Sequence, residues 1–357
     1  MLRFDLGLGT IAPGLVGEAE DWKTPFVAYG PRGGFEPLRR VLAQKEGVAP
    51  TCVIVTSGAS MALTAALAIL PKNRAVLMPR PYYPAYPNVA RFLGLEVAFY
   101  DLVPGRPLAE AVSDAARGRP IGALIVNTPG NPLGNVAATE DMAELEKIVH
   151  EAGAILVVDE TYAGILLDPS ANAWSGTGAA PGIVRLKSLS KAYLIAGERI
   201  GYAVAEPTLA DKIEEAHWVI AMSPAVTAQM NAARALLEDV PERLAGLCAR
   251  LRRSRDCAVA ALADVPGLEI RPPLAGVFLW IVFPTAGLTG VDIAHCCRQY
   301  HGLVVMPGEA CGQSDPPAIR ASFALPEVDA ANAFHALANA LCELGAVSKS
   351  LLGKREP

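Results

Sequence analysis

Three short segments combine residue types that could carry chemistry. Ser188-Leu189-Ser190-Lys191 sets a lysine between apolar stretches, with two hydroxyls before it and Arg199 eight residues after it. Lysine forms Schiff bases once its surroundings lower its pKa enough to expose a neutral amine, and an arginine with hydroxyls nearby suits an adjacent anion. Ile155–Val158 runs into Asp159-Glu160-Thr161-Tyr162. A carboxylate at the tip of a buried strand is costly unless something positive meets it. Val53–Thr56 leads into Ser57-Gly58-Ala59-Ser60 and then a helix-like stretch, so backbone N–H groups and two hydroxyls gather where a phosphate could sit. Taken singly, each has an ordinary structural alternative: a small-residue turn, a capping or surface acid, a solvated lysine. The small-residue turn also lacks both the GxxxxGK[ST] and the GxGxxG spacing.

The elements that must position these segments read as an alternation. β-rich runs at Val53–Thr56, Ala75–Met78, Leu95–Tyr100, Ala123–Asn127 and Ile155–Asp159 are spaced by helix-like Ser60–Leu70, Pro84–Leu93, Leu108–Arg117 and Glu140–Ala152. Near-continuous apolar strands spaced by helices predict a mostly parallel sheet covered on both faces. Strand-like Ile183–Leu186 and Ile200–Val204 flank the lysine segment. Two long helices follow, Pro207–Glu238 and Glu242–Leu262, broken at Val240–Pro241. Val277–Phe283, Val291–Tyr300, Leu303–Met306, Ile319–Phe323 and Glu327–Leu344 then alternate strand and helix as an α+β tail. In an open α/β sheet, ligands bind beyond the carboxyl ends of the strands, where all three chemical segments fall.

Composition narrows the function classes. Apolar residues make up 52% and charged residues 19%, which fills a core and excludes intrinsic disorder. Lys+Arg at 31 against Asp+Glu at 36 leaves a net charge of -5, which argues against nucleic acid as the main partner. No apolar run reaches the ~18 residues of a membrane span, and the N-terminus lacks the apolar core of a signal peptide. Seven cysteines show no CxxC pair and no metal-ligand spacing, so no metal is expected. The expectation is a cytoplasmic enzyme.

Taken together, the segments form an ordered set. Ser188 to Gly201, SLSKAYLIAGERIG, is similar to a lysine-attachment motif, and Asn127 to Gly134, NTPGNPLG, is similar to N-x-P-x-N-P-T-G with Leu133 in place of Thr. Tyr29 to Gly34 followed by Leu38-Arg39 matches Y-x-x-x-x-G and L-R; Pro307 to Gly312 is similar to PGxxFG with Cys311 in place of Phe; Ile319 to Phe323 matches I-R-x-S-F. The chain thus resembles the pyridoxal-phosphate enzymes of the class I/II aminotransferase family, fold type I, from Leu6 to the last helix. The resemblance implies an α/β fold with a mostly parallel central sheet in a large cofactor domain and a smaller α+β domain. Expected boundaries are residues 1–40 for the N-terminal arm and part of the small domain, 41–240 for the large domain and 241–357 for the C-terminal domain.

The resemblance also implies roles. Lys191 would hold the aldehyde of pyridoxal 5'-phosphate as a Schiff base, Asp159 would pair with the protonated pyridine nitrogen, and Asn131 and Tyr162 would bond the ring's phenolic oxygen. Tyr83 would stack on the ring. Ala59, Ser60, Ser188 and Arg199 would hold the phosphate, Ser57, Gly58 and Ser190 would also bind the cofactor, and Arg320 would clamp the substrate carboxylate, with Asn131 and Gly9 also facing substrate. Tyr29 would reach the partner subunit's site, which implies a homodimer. The implied reaction moves an amino group between an L-amino acid and a 2-oxo acid. A lyase, decarboxylase, cyclase or amino-acid-modifying enzyme could use the same cofactor. A catalytically inert binding or sensor module is the other alternative; such regulators usually carry a DNA-binding domain, for which no room is expected before Leu6 or after Leu344, and the intact Lys191 also speaks against it. Gly9-Thr10-Ile11-Ala12 departs from the family's G-x-P-D, so side-chain specificity does not carry over. Glu18, Glu20 and Asp21 are read as solvating an N-terminal loop, the basic run Arg250 to Arg255 as a solvated helix face, and most of the five histidines as surface residues.

Overall fold

The computed structural model describes residues 29–168, 174, 176–238, 241–284 and 287–352. Its larger sheet has seven strands in the order β1-β7-β6-β5-β4-β2-β3. These are β1 (Val53–Thr56), β2 (Ala75–Arg80), β3 (Val97–Asp101), β4 (Ile121–Asn127), β5 (Ile155–Asp159), β6 (Ile183–Ser188) and β7 (Gly201–Val204). All neighbours run parallel except β7, which is antiparallel to both β1 and β6. The predicted strands are present; β3 starts two residues later than the apolar run, because Leu95 is spent as a buried residue in the approach to the strand.

Strand periodicity sends alternate residues to opposite faces. Ile125, Val157 and Leu186 therefore pack on one side with α2 (Ala59–Ala68), α3 (Ala85–Phe92) and α7 (Pro207–Ala221). Leu124, Val126, Leu156 and Val158 face α4 (Leu108–Ala116) and α5 (Thr139–Ala152) on the other. Near β1 and β7, that second side is covered by α1 (Glu36–Glu46) and α8 (Val226–Leu237).

The long helix expected over Pro207–Glu238 is two helices, α7 and α8. Pro224 lacks the N–H that a continuous helix needs, and Met222 takes a left-handed φ of 58° at the break. Among the described residues, α9 (Pro241–Leu262), α10 (Gly290–His301) and α11 (Glu327–Leu352) cover one face of a second sheet, four antiparallel strands in the order β10-β11-β9-β8. These are β8 (Glu269–Ile270), β9 (Phe278–Val282), β10 (Met306–Pro307) and β11 (Ala318–Ser322). Leu279, Ile281, Ile319 and Ala321 fill that face. Cross-strand pairing puts Trp280 and Met306 beside Arg320 on the opposite face.

The basic run on α9 is not simply solvated. Arg252 donates to the Leu167 carbonyl, Arg255 to the Pro273 carbonyl at 3.1 Å, and Arg253 pairs with Glu327. His150, His295 and His335 are exposed and His301 half-buried, as expected of most of the histidines; His217 is the exception, fully buried with neither ring nitrogen partnered among the described residues. No helix among those residues is long and apolar enough to cross a membrane.

Candidate active site

β1 hands the chain to α2 through Ser57 and Gly58, and Gly58 has φ 78°. Among the described residues no side chain caps α2, so its first N–H groups are left for another acceptor. Gly201 on β7 makes the turn possible: a Cβ there would lie 2.5 Å from the Ala59 nitrogen. Arg199 spans the same turn, since a Cβ on Gly58 would come within 2.7 Å of its Nη2. Arg199 is itself left-handed at φ 56°, a strain of roughly 1–3 kcal/mol for a non-glycine residue. Backbone donors, the Ser57 and Ser60 hydroxyls and an exposed guanidinium thus meet at one helix start, a cradle for a phosphate dianion.

Asp159 ends β5 and is buried. Its Oδ2 accepts from the Tyr86 hydroxyl at 2.7 Å and its Oδ1 from the Thr161 N–H at 2.9 Å. Among the described residues no cation pairs with it. Burial raises its pKa, the two hydrogen-bond donors pull it back, and the neighbouring Glu160 charge adds to the rise. A buried carboxylate in this state is stabilised by any cation delivered to it. Asn127 braces the strand ends, donating to the Asp159 carbonyl at 2.9 Å and accepting from the Asn131 N–H at 2.7 Å.

Lys191 sits in a four-residue helix, α6 (Leu189–Ala192), whose N-cap Ser188 accepts from the Ser190 N–H. Burial lowers the Lys191 pKa, and the charges of Arg199 and Arg320 lower it further. Its Nζ lies 5.8 Å from the Tyr162 ring centroid. Tyr162 is buried and meets Phe278 edge-on at 6.2 Å. Burial pushes the Tyr162 phenol well up, against the opposing pull of Arg320. Tyr83 is half-buried with its ring edge-on to Tyr86 at 5.6 Å.

Arg320 reaches across from the second sheet. Its Nη1 donates to Asn131 Oδ1 at 2.8 Å, and its guanidinium lies 4.0 Å from the Phe278 ring centroid. The aromatic face and the amide fix the plane of the fork, which leaves it oriented for a carboxylate. Leu133 packs with Trp280, Cys311, Ala318 and Met306 beside this arginine. The two departures from the motifs, Leu133 and Cys311, therefore pack into one cluster.

Lys191, Asp159, Tyr162, Asn131 and Arg320 thus converge at the strand ends. Tyr29 stands apart: it is 63% exposed and lines an open cavity of about 200 Å³ with Gly30, Ser223 and Val226. Gly9, Glu18, Glu20 and Asp21 lie outside the described residues. Sequence reasoning missed Tyr86 and Asn127 as direct supports of Asp159. Tyr86, in the first turn of the helix-like run that follows Tyr83, was the available signal for the first.

Known proteins share this chain's sequence pattern and fold. The family profile of aminotransferase class I and II matches residues 18–337. The chain is 27% identical over 282 residues to the (5-formylfuran-3-yl)methyl phosphate transaminase of Methanocaldococcus jannaschii, covering 78% of this chain and 72% of that one. It is 27% identical over 316 residues to a probable aspartate/prephenate aminotransferase of Aquifex aeolicus, covering 84% and 79%. A double mutant of the Thermus thermophilus aspartate aminotransferase superposes with a TM-score of 0.77 at 27% identity, over 92% of this chain and 85% of that one.

Proposed function

The chain belongs to the class I and II aminotransferase family and is an aminotransferase; from that premise we propose that the cluster around Lys191 and Asp159 is its pyridoxal-phosphate site. One observation carries the reading. A buried carboxylate short of a cation and a lysine shifted toward its neutral amine belong to the same group of strand-end residues. The donor set fits the cofactor: an acid for the pyridinium, an amine for the aldehyde, a cradle for the phosphate.

When bound, pyridoxal phosphate supplies an aldehyde that captures the substrate's amino group and a ring that delocalises the electron pair left at Cα. The chain's own residues do the rest. Asp159 keeps a proton on the ring nitrogen by opposite-charge pairing. Arg199, the Ser57 and Ser60 hydroxyls and the first N–H groups of α2 hold the phosphate. Arg320 and Asn131 orient the substrate carboxylate near the ring plane, which leaves the Cα–H bond free to stand perpendicular and break. Lys191 would take the proton from the substrate's Cα on its amine and hold it for return. Its lowered pKa favours this, because more of the amine is neutral at a given pH. Tyr162 and Asn131 bond the ring oxygen, and Tyr83 covers a ring face.

The relatives' names point to different substrates, so the donor is assigned by experiment. Incubation with a panel of L-amino acids should yield the matching 2-oxo acid together with aminated cofactor. Carbon dioxide release, or a deaminated product with no aminated cofactor, would overturn the reading.

The active unit in this proposal is a homodimer in which Tyr29 serves the partner's site. Exposed Tyr29 and the apolar end of α7, where Val219 is 80% exposed, support it. Mixing Tyr29→Phe subunits with Lys191→Ala subunits should recover activity that each parent lacks, since one hybrid site then carries neither lesion. Sedimentation of active enzyme as a monomer would refute sharing. A cytoplasmic location fits seven cysteines that are all free, and cell fractionation tests it.

A further inference from the structure

A buried ring of four charges lies directly behind the proposed cofactor site. Arg185 donates through Nε to Glu160 at 2.6 Å and through Nη2 to Glu46 at 2.7 Å. Lys187 Nζ meets the same two carboxylates, Glu160 at 2.8 Å and Glu46 at 3.2 Å. Each cation thus bridges both acids, and each acid bridges both cations. Tyr202 adds a hydrogen bond to Glu46 at 2.8 Å, and Arg185 one to the Gly178 carbonyl at 3.2 Å. The side chains of Arg185, Glu46 and Glu160 are 4%, 6% and 3% exposed, so solvent does little of the screening.

The ring's members come from segments that carry the site. Glu160 follows Asp159, and its N–H bonds the Leu186 carbonyl at 2.8 Å, clamping the end of β5 to β6. Lys187 precedes Ser188, whose hydroxyl caps the helix of Lys191. Glu46 closes α1, which packs on β1, the strand that runs into Ser57–Ser60. Side chains alternate along a strand, so Glu160 and Asp159 point to opposite faces and the ring contacts Asp159 only through the backbone.

We propose that Glu46, Glu160, Arg185 and Lys187 are positioning residues that set Asp159 and Lys191 relative to one another for turnover. The inference rests on the cofactor reading above. Buried ion pairs are weak sources of stability, because apolar residues of equal volume do as well or better. What a closed ring of alternating charge does supply is a single register among three chain segments, and catalytic constellations need that at sub-ångström precision. It also sets two cations against Glu160, whose charge beside Asp159 favours protonation of that carboxylate.

Two variants test this: Lys187→Met, which leaves the ring one negative charge in excess, and Glu46→Gln/Lys187→Met, which restores neutrality and keeps the Arg185–Glu160 pair. The readouts are cofactor affinity by dialysis, the visible spectrum of the bound cofactor, kcat and KM. Lys187→Met should bind cofactor more weakly, show an altered spectrum, and lose roughly 3- to 30-fold in kcat at a KM within about twofold. The double variant should regain most of the loss. Parental kcat and spectrum in Lys187→Met, or a double variant no better than the single, would overturn the proposal. Should Lys187→Met fail to fold, isosteric Glu46→Gln takes its place; unchanged kcat there is equally fatal. Borohydride trapping on Lys191 in the unaltered protein separates the two claims. Without trapping, the cofactor reading falls and takes the ring with it; with trapping and unresponsive variants, the ring alone falls.

Discussion

Asp159→Asn should still bind pyridoxal phosphate but turn over at least ~10²-fold more slowly, the scale on which single preorganised electrostatic groups matter. The amide keeps the shape: its oxygen can still accept from the Thr161 N–H, which bonds the carboxylate at 2.9 Å, while its NH2 would donate to the Tyr86 hydroxyl that bonds the other carboxylate oxygen at 2.7 Å. What it lacks is the negative charge that holds a proton on the ring nitrogen, so the carbanion at Cα loses its electron sink. Single-turnover measurement of Cα deprotonation reads the effect directly. Near-normal turnover would remove Asp159 from the mechanism.

Arg320→Ala should cost roughly 10²-fold or more in kcat/KM for the amino acid, in line with truncating one member of a buried charge pair. Arg320→Lys keeps the charge but loses the planar fork and its fit between Asn131 and the Phe278 ring, 4.0 Å away. It should recover part of the loss, mostly in KM. Cofactor binding should change far less than substrate affinity, because the phosphate cradle and Asp159 lie on the other sheet; Arg320→Ala touches Lys191 only by removing one of the two charges that lower its pKa, and Arg320→Lys keeps that charge. Equal losses in cofactor binding would mean that Arg320 acts through the fold and not on the substrate.

Much of this arrangement was legible in the residues alone. Near-continuous apolar strands announce a sheet buried on both faces, and a polar residue at a strand's carboxyl end then falls where ligands bind. Asp159, Ser57–Ser60 and Ser188–Lys191 all obey that logic. The supports were harder to see. Glu46 and Glu160 are distant in sequence, and only the crossover order β5-β6-β7 brings them to Arg185 and Lys187. In sequence, Arg185 and Lys187 look like ordinary charged residues at a strand end. The break between α7 and α8 was hidden because the apolar pattern continues through Pro224, and local pattern outweighed the missing N–H. The arginines of α9 were misread for a related reason: their acceptors are carbonyls of distant loops, Leu167 and Pro273, which carry no sequence signal.

The central claim is that Lys191 is the residue that captures the cofactor. The most direct test is borohydride reduction of the purified, cofactor-loaded protein followed by peptide mapping. The visible band should disappear, and a stable pyridoxyl adduct should be found on the peptide spanning Ser188 to Arg199, at Lys191. An adduct on any other lysine, or none at all, would contradict the account.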